Sequence, residues 1–359
     1  MENLIDTLLK DAVAAGASDI HLKVGSPPVM RVGGQLRRMD AYESLRPDDT
    51  KEYAESLFTE KAASDFTNRG AADFAYGRHE LGRFRVTAFR QRGSVSLVLR
   101  RVVPGSKSFE ELGLPRAVEK LAGKDTGLLI ITGPSGSGKT TTMASIVDWI
   151  NANRGVSILT VEDPIEVLHP DKKSVVVQRE IGVDTPDAAT AVRGALRHDT
   201  DVIVISEVDD ADSIRAAVAA AETGHLVITS MRTSDPADTI HRITSLFPQT
   251  EQQVVKGQIA AQMLAIISQR LVEGRDRNRV LAAEVLTNNE RVQEWIMGDA
   301  DQASLLEIMK ESEFFGMQTF DQAMLNLVVS HTVELPVVLP HLRNVHEVRA
   351  KAMAAGIEI

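Results

Sequence analysis

Gly133-Pro134-Ser135-Gly136-Ser137-Gly138-Lys139-Thr140 is the stretch whose residue types and spacing speak most directly of chemistry. It fills G-x-x-x-x-G-K-[ST], the pattern of a phosphate-binding loop. Small residues there let successive backbone N–H groups converge on phosphate oxygens. A helix starting at the loop's end adds the positive pole of its dipole. Lys139 is spaced to reach the β- and γ-phosphates of ATP, and the Thr140 hydroxyl to ligate Mg2+. Thr141 follows in the first helical turn. The bland alternative, a Gly-rich strand-to-helix turn without a ligand, would need neither the lysine nor the threonine.

A nucleoside triphosphatase also needs an acid that holds the metal and a group that orients water. Two apolar runs end in carboxylates: Val161-Glu162-Asp163-Pro164-Ile165-Glu166, and Val202-Ile203-Val204-Ile205-Ser206-Glu207. Ligands of open α/β sheets gather at the carboxyl ends of the strands. Glu162 and Glu207 are therefore the candidate acids, against the alternative of solvated strand ends.

These residues require a particular scaffold. Continuous apolar runs at 128–132, 157–161, 202–205 and 226–229 alternate with helical segments, one of them at 141–151. Continuous rather than alternating apolar runs suit a parallel sheet covered on both faces, so residues from about 110 to 287 read as an α/β domain. The first hundred residues have a different grammar. An amphipathic helix over 1–16, with Leu4, Leu8, Ala12 and Ala15 on one side, precedes short strands at 20–24, 28–32 and 36–39. A helix over 47–68 and strands at 72–78, 83–90 and 94–102 complete a small α+β domain. Pro104-Gly105-Ser106-Lys107-Ser108 reads as a linker, and helices dominate from about 290. The expected division is 1–103, a linker at 104–115, a core at 116–290 and a helical region at 291–359.

Composition narrows the class. The 359 residues suit two or three domains. Forty basic against fifty acidic residues give a net charge of −10, and aromatics are 4%. Both argue against nucleic acid as the partner. There is no cysteine, which excludes disulfides, Cys-ligated zinc and Cys nucleophiles. The start lacks a signal-peptide pattern and no apolar run approaches bilayer length, so a cytoplasmic protein is expected. His21, His79, His241 and His346 lack metal-ligand spacing and read as structural or surface residues.

With these motifs in view, the sequence resembles the type IV pilus retraction ATPases of the secretion ATPase superfamily. The resemblance covers nearly the whole chain. It rests on Ala17-Ser18-Asp19-Ile20-His21-Leu22, Arg83-Phe84-Arg85-Val86, the acidic box at Glu162-Asp163-Pro164 and the histidine box Ala221-Glu222-Thr223-Gly224-His225. Phe315-Gly316-Met317-Gln318-Thr319-Phe320-Asp321-Gln322 extends it toward the C-terminus. The resemblance implies an α/β protein: a small N-terminal α+β (PAS-like) domain, a RecA-like P-loop ATPase domain and a helical C-terminal segment. It implies a homohexamer that binds ATP and Mg2+ and drives pilus retraction and twitching motility from the cytoplasmic face of the inner membrane. Its partners would be a pilus platform protein in that membrane and a paralogous retraction ATPase. Glu162 would be the catalytic base and Glu207 the metal-side acid. His225 would sit by the γ-phosphate, and Arg83, Arg85, Arg90 and Arg100 would be candidates to reach phosphate. Each of those arginines also has a plain reading as a surface or salt-bridge residue.

The sequence departs from that family in three places. Ser206-Glu207-Val208-Asp209-Asp210 stands where Gly-Glu-Met-Arg-Asp is usual, so Asp209 reverses a charge. Ser230-Met231-Arg232-Thr233 stands where Thr-Leu-His-Thr is usual. Arg232, a permanent cation, is expected to hold phosphate and to offset Asp209. Residues 303–312 match only loosely an Ala-Ile-Arg-x-x-Ile-Arg-Glu element. The departures keep two further readings open: a weakly active accessory motor, and a regulator of the pilus machinery gated by ATP without turnover.

Overall fold

Two apolar patterns, one alternating and one continuous, build two sheets. In the computed structural model the described residues are 5–78, 81–102, 105–298 and 301–357. Leu4, His79 and Pro104, singled out above, lie outside them. The chain divides into two compact units: Met1–Gly105 with Pro164–Leu168, and Ser106–Asp163 with His169–Ile359.

The first unit holds α1 (Asp6–Ala14), β1 (Asp19–Leu22), β2 (Val29–Val32), β3 (Gln35–Arg38), α2 (Pro47–Leu57), α3 (Glu60–Arg69), β4 (Ala71–Arg78), β5 (Gly82–Gln91) and β6 (Ser94–Val102). Its strands form an antiparallel sheet in the order β3-β2-β1-β6-β5-β4. Leu8, Leu9, Ile20, Leu22, Phe84, Val86, Leu97 and Leu99 meet in one buried cluster. The single helix expected over 47–68 is two helices. Phe58 leaves the helical region at ψ 133°, and Thr59 caps the next helix by accepting from the Ala62 N–H.

The second unit contains α4 (Phe109–Leu112), α5 (Ala117–Ala122), β7 (Gly127–Thr132), α6 (Lys139–Asn153), β8 (Ser157–Glu162), β9 (Val175–Glu180), α7 (Ala188–Ala195), β10 (Val202–Ile205) and α8 (Ala211–Glu222). It continues through β11 (Leu226–Met231), α9 (Pro236–Ser245), α10 (Gln249–Gln262), β12 (Met263–Glu273) and β13 (Arg279–Thr287). Helices α11 (Glu290–Met297), α12 (Gln302–Glu311), α13 (Phe320–Val329), α14 (Leu335–Val338) and α15 (Val345–Ala354) close it. The sheet order is β13-β12-β7-β11-β10-β8-β9. All neighbours are parallel except β12 and β13, which run antiparallel. Every residue of β7, β10 and β11 is buried, as a sheet clad on both faces requires. The four expected strands are present; β9, β12 and β13 widen the sheet on both sides.

Candidate nucleotide-binding site

The loop between β7 and α6 is fastened from both neighbouring strands. The Gly133 N–H donates to Met231 O at the end of β11, 3.3 Å. Thr132 Oγ1 donates to Ser268 Oγ of β12 at 2.7 Å. Fully buried Gln269 sends Nε2 to Thr142 Oγ1 at 2.7 Å, tying β12 to α6. Gly133 has φ +147°, and a Cβ there would fall 2.4 Å from Ser137 Oγ and 2.6 Å from Gln269 O, so no other residue fits. Gly138 caps α6 in the left-handed region, φ 93°, where glycine is favoured. The helix thus begins at Lys139 with its N-terminus aimed into the loop, the arrangement that favours an anion.

Lys139 Nζ donates to Gly133 O at 2.8 Å and to Pro134 O at 3.2 Å. Burial pushes its ammonium below the usual lysine range; Glu207 pulls it back up and Arg232 pushes it further down. Pro134, Ser135, Gly136, Thr140 and Thr141 are exposed, while Ser137 is buried. A hydroxyl and one carboxylate, completed by phosphate oxygens, make a donor set of the kind Mg2+ takes in nucleotide sites. Thr140 and Glu207 are of that chemistry.

Strand register places the acids. Glu207 lies two residues beyond β10, held by Val208 N–H to Ser230 O at 3.0 Å and Ser230 Oγ to Ser206 O at 2.5 Å. Glu162 ends β8 on the same sheet edge, since Val161 pairs with Ile205. It stands three strands from β7, about 14 Å across the sheet at its base. Its Oε1 accepts from Thr160 Oγ1 at 2.6 Å and Gln178 Nε2 at 2.9 Å. Those donors fix the carboxylate from its own strand and from β9.

Arg232 lies one residue beyond β11, whose Met231 is paired with Thr132. Its Nε donates to Glu207 Oε1 at 2.6 Å. The partner of this cation is therefore Glu207, and the expected offset of Asp209 gives way to that pair. Asp209 is exposed, and its neighbour Asp210 caps α8.

His225 requires a correction. It precedes β11, and its carbonyl accepts from Gly127 N–H where β7 begins. That is the opposite end of the sheet from the phosphate loop, about 20 Å away over six strand residues. Its Nδ1 lies 3.0 Å from Ala220 O and 3.3 Å from Thr223 Oγ1, at the end of α8. The geometry makes it a connector of α8 and β11 and removes it from the phosphate side of its own unit.

The four arginines of the first unit are engaged there. Arg100 Nε donates to Asp19 at 2.8 Å, Arg85 lies 3.7 Å from Glu166, Arg90 covers the Phe66 ring at 5.2 Å, and Arg83 is half-buried in β5. Sequence reasoning missed β12 and its neighbours. Arg270, Arg279, Asp238 and His341 line a hollow of about 480 Å3 together with Pro134–Ser137 and Arg232. No linear motif announced them: the pairing of β12 with β7 brings Arg270 to the loop, β13 adds Arg279 beside it, α9 supplies Asp238, and the His341 carbonyl accepts from Arg270 at 3.1 Å.

Comparisons with known proteins agree with this geometry. The family described as Type II/IV secretion system protein matches residues 78–332. PilT of Pseudomonas aeruginosa, a type IV pilus retraction ATPase, is 36% identical over 327 residues, covering 90% of this chain and 94% of that one. PilU of the same organism, a type IV pilus ATPase, is 35% identical over 347 residues, covering 96% and 90%. The crystal structure of the pilus retraction motor PilT with bound ADP superposes with a TM-score of 0.84 at 38% identity, covering 96% of this chain and 98% of that one.

Proposed function

This chain belongs to the type II/IV secretion system protein family and is one of its nucleotide-binding ATPases, built as an N-terminal domain followed by a RecA-like domain; from that premise we propose that it is an ATP-driven motor of type IV pilus retraction. The observation that carries the reading is the phosphate loop on β7 and α6, with Glu162 and Glu207 on the same sheet edge, in a chain that spans 94% of a retraction ATPase. The domain bounds proposed are 1–103, 116–290 and 291–359.

In this reading the backbone of Gly133–Thr141 and the ammonium of Lys139 cradle the phosphates. Thr140 and Glu207 would hold Mg2+, which would supply charge neutralisation. Glu162 accepts the proton of the attacking water, its carboxylate aimed by Thr160 and Gln178. Six copies form the working ring, which acts at the inner-membrane platform of the pilus and promotes removal of pilin subunits.

Among the described residues no helix is long and apolar enough to cross a membrane, so the proposed membrane association runs through that platform. Steady-state ATP hydrolysis by the purified protein, beside Lys139→Ala and Glu162→Gln, tests the reading. Turnover abolished by both changes, with nucleotide still bound by Glu162→Gln, supports it.

The pairing of Arg232 with Glu207 favours a second reading, an accessory motor of low intrinsic turnover that works beside a paralogue. Nucleotide binding with negligible turnover would select it or the ATP-gated regulator; no binding would overturn all three.

A further inference from the structure

The carboxylate of Glu207 and the guanidinium of Arg232 project from the ends of adjacent strands. Register fixes both backbones: Met231 pairs with Thr132, Ile205 with Thr229, and the Val208 N–H reaches Ser230 O at 3.0 Å. Arg232 is 68% exposed and Glu207 30% exposed, and they meet at 2.6 Å.

The pair stands close enough to Lys139 for both members to act on its charge. Without metal, Lys139 and Arg232 against Glu207 leave one net positive charge, and Arg270 and Arg279 against Asp238 add to it around the same loop. Arg232 Nε occupies Oε1 of Glu207, so a divalent cation binding at that oxygen would compete with the guanidinium, and their mutual repulsion would favour the exchange of one for the other. Released from Glu207, the long arginine side chain would be able to turn toward the loop, where its planar fork suits phosphate oxygens. Both positions lie within one side-chain length because Met231 borders Gly133.

We propose that Arg232 is a built-in counter-ion that exchanges with Mg2+ at Glu207, so that this chain holds a nucleoside diphosphate without metal and completes its metal site only as free Mg2+ rises. The inference rests on the nucleotide reading of the same site and adds to it a dependence on metal set by one residue. Its consequence is a motor whose metal-side acid is sheltered when Mg2+ is scarce. A histidine at that position, neutral over part of the physiological range, would impose no such exchange.

The test uses a fluorescent N-methylanthraniloyl ADP and the full-length protein. Affinity is measured in excess EDTA, and the Mg2+ half-saturation point is then read from the nucleotide-loaded protein. The variants are Arg232→Ala and Glu207→Gln, with melting temperature as the check on folding. Arg232→Ala is expected to weaken metal-free binding about five-fold and to lower the Mg2+ half-saturation about five-fold, the scale of a partly exposed ion pair. Glu207→Gln, which removes the anion beside Lys139 and releases Arg232, is expected to tighten metal-free binding and to lose most of the Mg2+ response.

An unchanged Mg2+ midpoint in Arg232→Ala overturns the exchange, whether or not metal-free affinity moves. In that case binding by the wild type still upholds the nucleotide site. Failure of the wild type to bind nucleotide in EDTA and in Mg2+ overturns both.

Discussion

At Gly133 a single hydrogen is all the fold permits. The φ of +147° and a Cβ position 2.4 Å from Ser137 Oγ leave alanine strained and overlapping. Gly133→Ala is expected to lower ADP affinity at least ten-fold and to destabilise the protein by about 2 kcal/mol, within the range for such backbone strain. Equilibrium binding and thermal melting check both parts. Lys139 gives a second residue-scale prediction, in pH. Burial, the largest influence, holds its ammonium below the ordinary 10.5. It therefore loses its proton at a lower pH than a free lysine, and the charge that attracts phosphate falls away as pH rises. ADP affinity should decline with increasing pH before 10.5 is reached, while Lys139→Arg, weaker throughout, should show a flat profile over the same range. The residues of the phosphate loop were legible in sequence because their spacing is local. His225 was misplaced although the needed rule was available: acids after an apolar run lie on the ligand side of the sheet, and a residue before the run lies on the other.

At the scale of elements, the C-terminal helices are fastened to the β12–β13 ribbon by a buried acid. Glu284 is fully buried in β13, and Arg343 reaches both of its carboxylate oxygens, Nη2 to Oε1 at 3.1 Å. Phe320 N–H at the start of α13 donates to the same carboxylate at 3.1 Å, and Arg343 Nη2 lies 3.4 Å from Asp235, the cap of α9. Burial pushes the Glu284 carboxyl up, and the Arg343 hydrogen bonds oppose that push. Arg343→Met leaves a buried carboxylate without its cation, and a loss of about 3–5 kcal/mol is expected, with Glu284→Gln/Arg343→Met recovering much of it. With the cation gone, the native state keeps its proton to higher pH than the unfolded chain, whose carboxyl titrates near 4.5. The native state then binds more protons, so stability falls as pH rises above that value. Denaturant midpoints at pH 4.5 and pH 7.5 measure the difference. None of this clamp was legible in sequence. Glu284 and Arg343 are 59 residues apart, and β12 and β13 carry no motif of their own. The break between α2 and α3 was hidden for a different reason: Thr59 is an ordinary helix residue until Phe58 turns extended and makes it a cap. The parallel strands were legible because burial on both faces imposes continuous apolar runs.

At the scale of the whole molecule, the proposed ring makes a prediction that no single subunit can satisfy. Closed cyclic assemblies place identical interfaces around one axis, so a defect in one copy is felt by its neighbours only if their cycles are coupled. Glu162→Gln is suited to the test, because it removes the proposed proton acceptor at the end of β8 while leaving the phosphate loop and Lys139 in place. Wild type and Glu162→Gln would be co-expressed at equal levels with different affinity tags and purified through both. Light scattering is expected to return the mass of six copies. If each subunit fires independently, mixed rings keep half the wild-type ATPase rate. If one inactive copy stalls the ring, purification through both tags has already removed the wholly wild-type rings, about (1/2)^6 or roughly 2% of a statistical mixture, and activity collapses toward zero. A motor that pulls a filament has to keep some subunits engaged while others reset, so the expected result is activity far below one half. A rate of one half in a confirmed hexamer would assign the work to independent subunits. A protein that scatters as a monomer at every nucleotide and Mg2+ concentration would remove the ring and with it the mechanical reading.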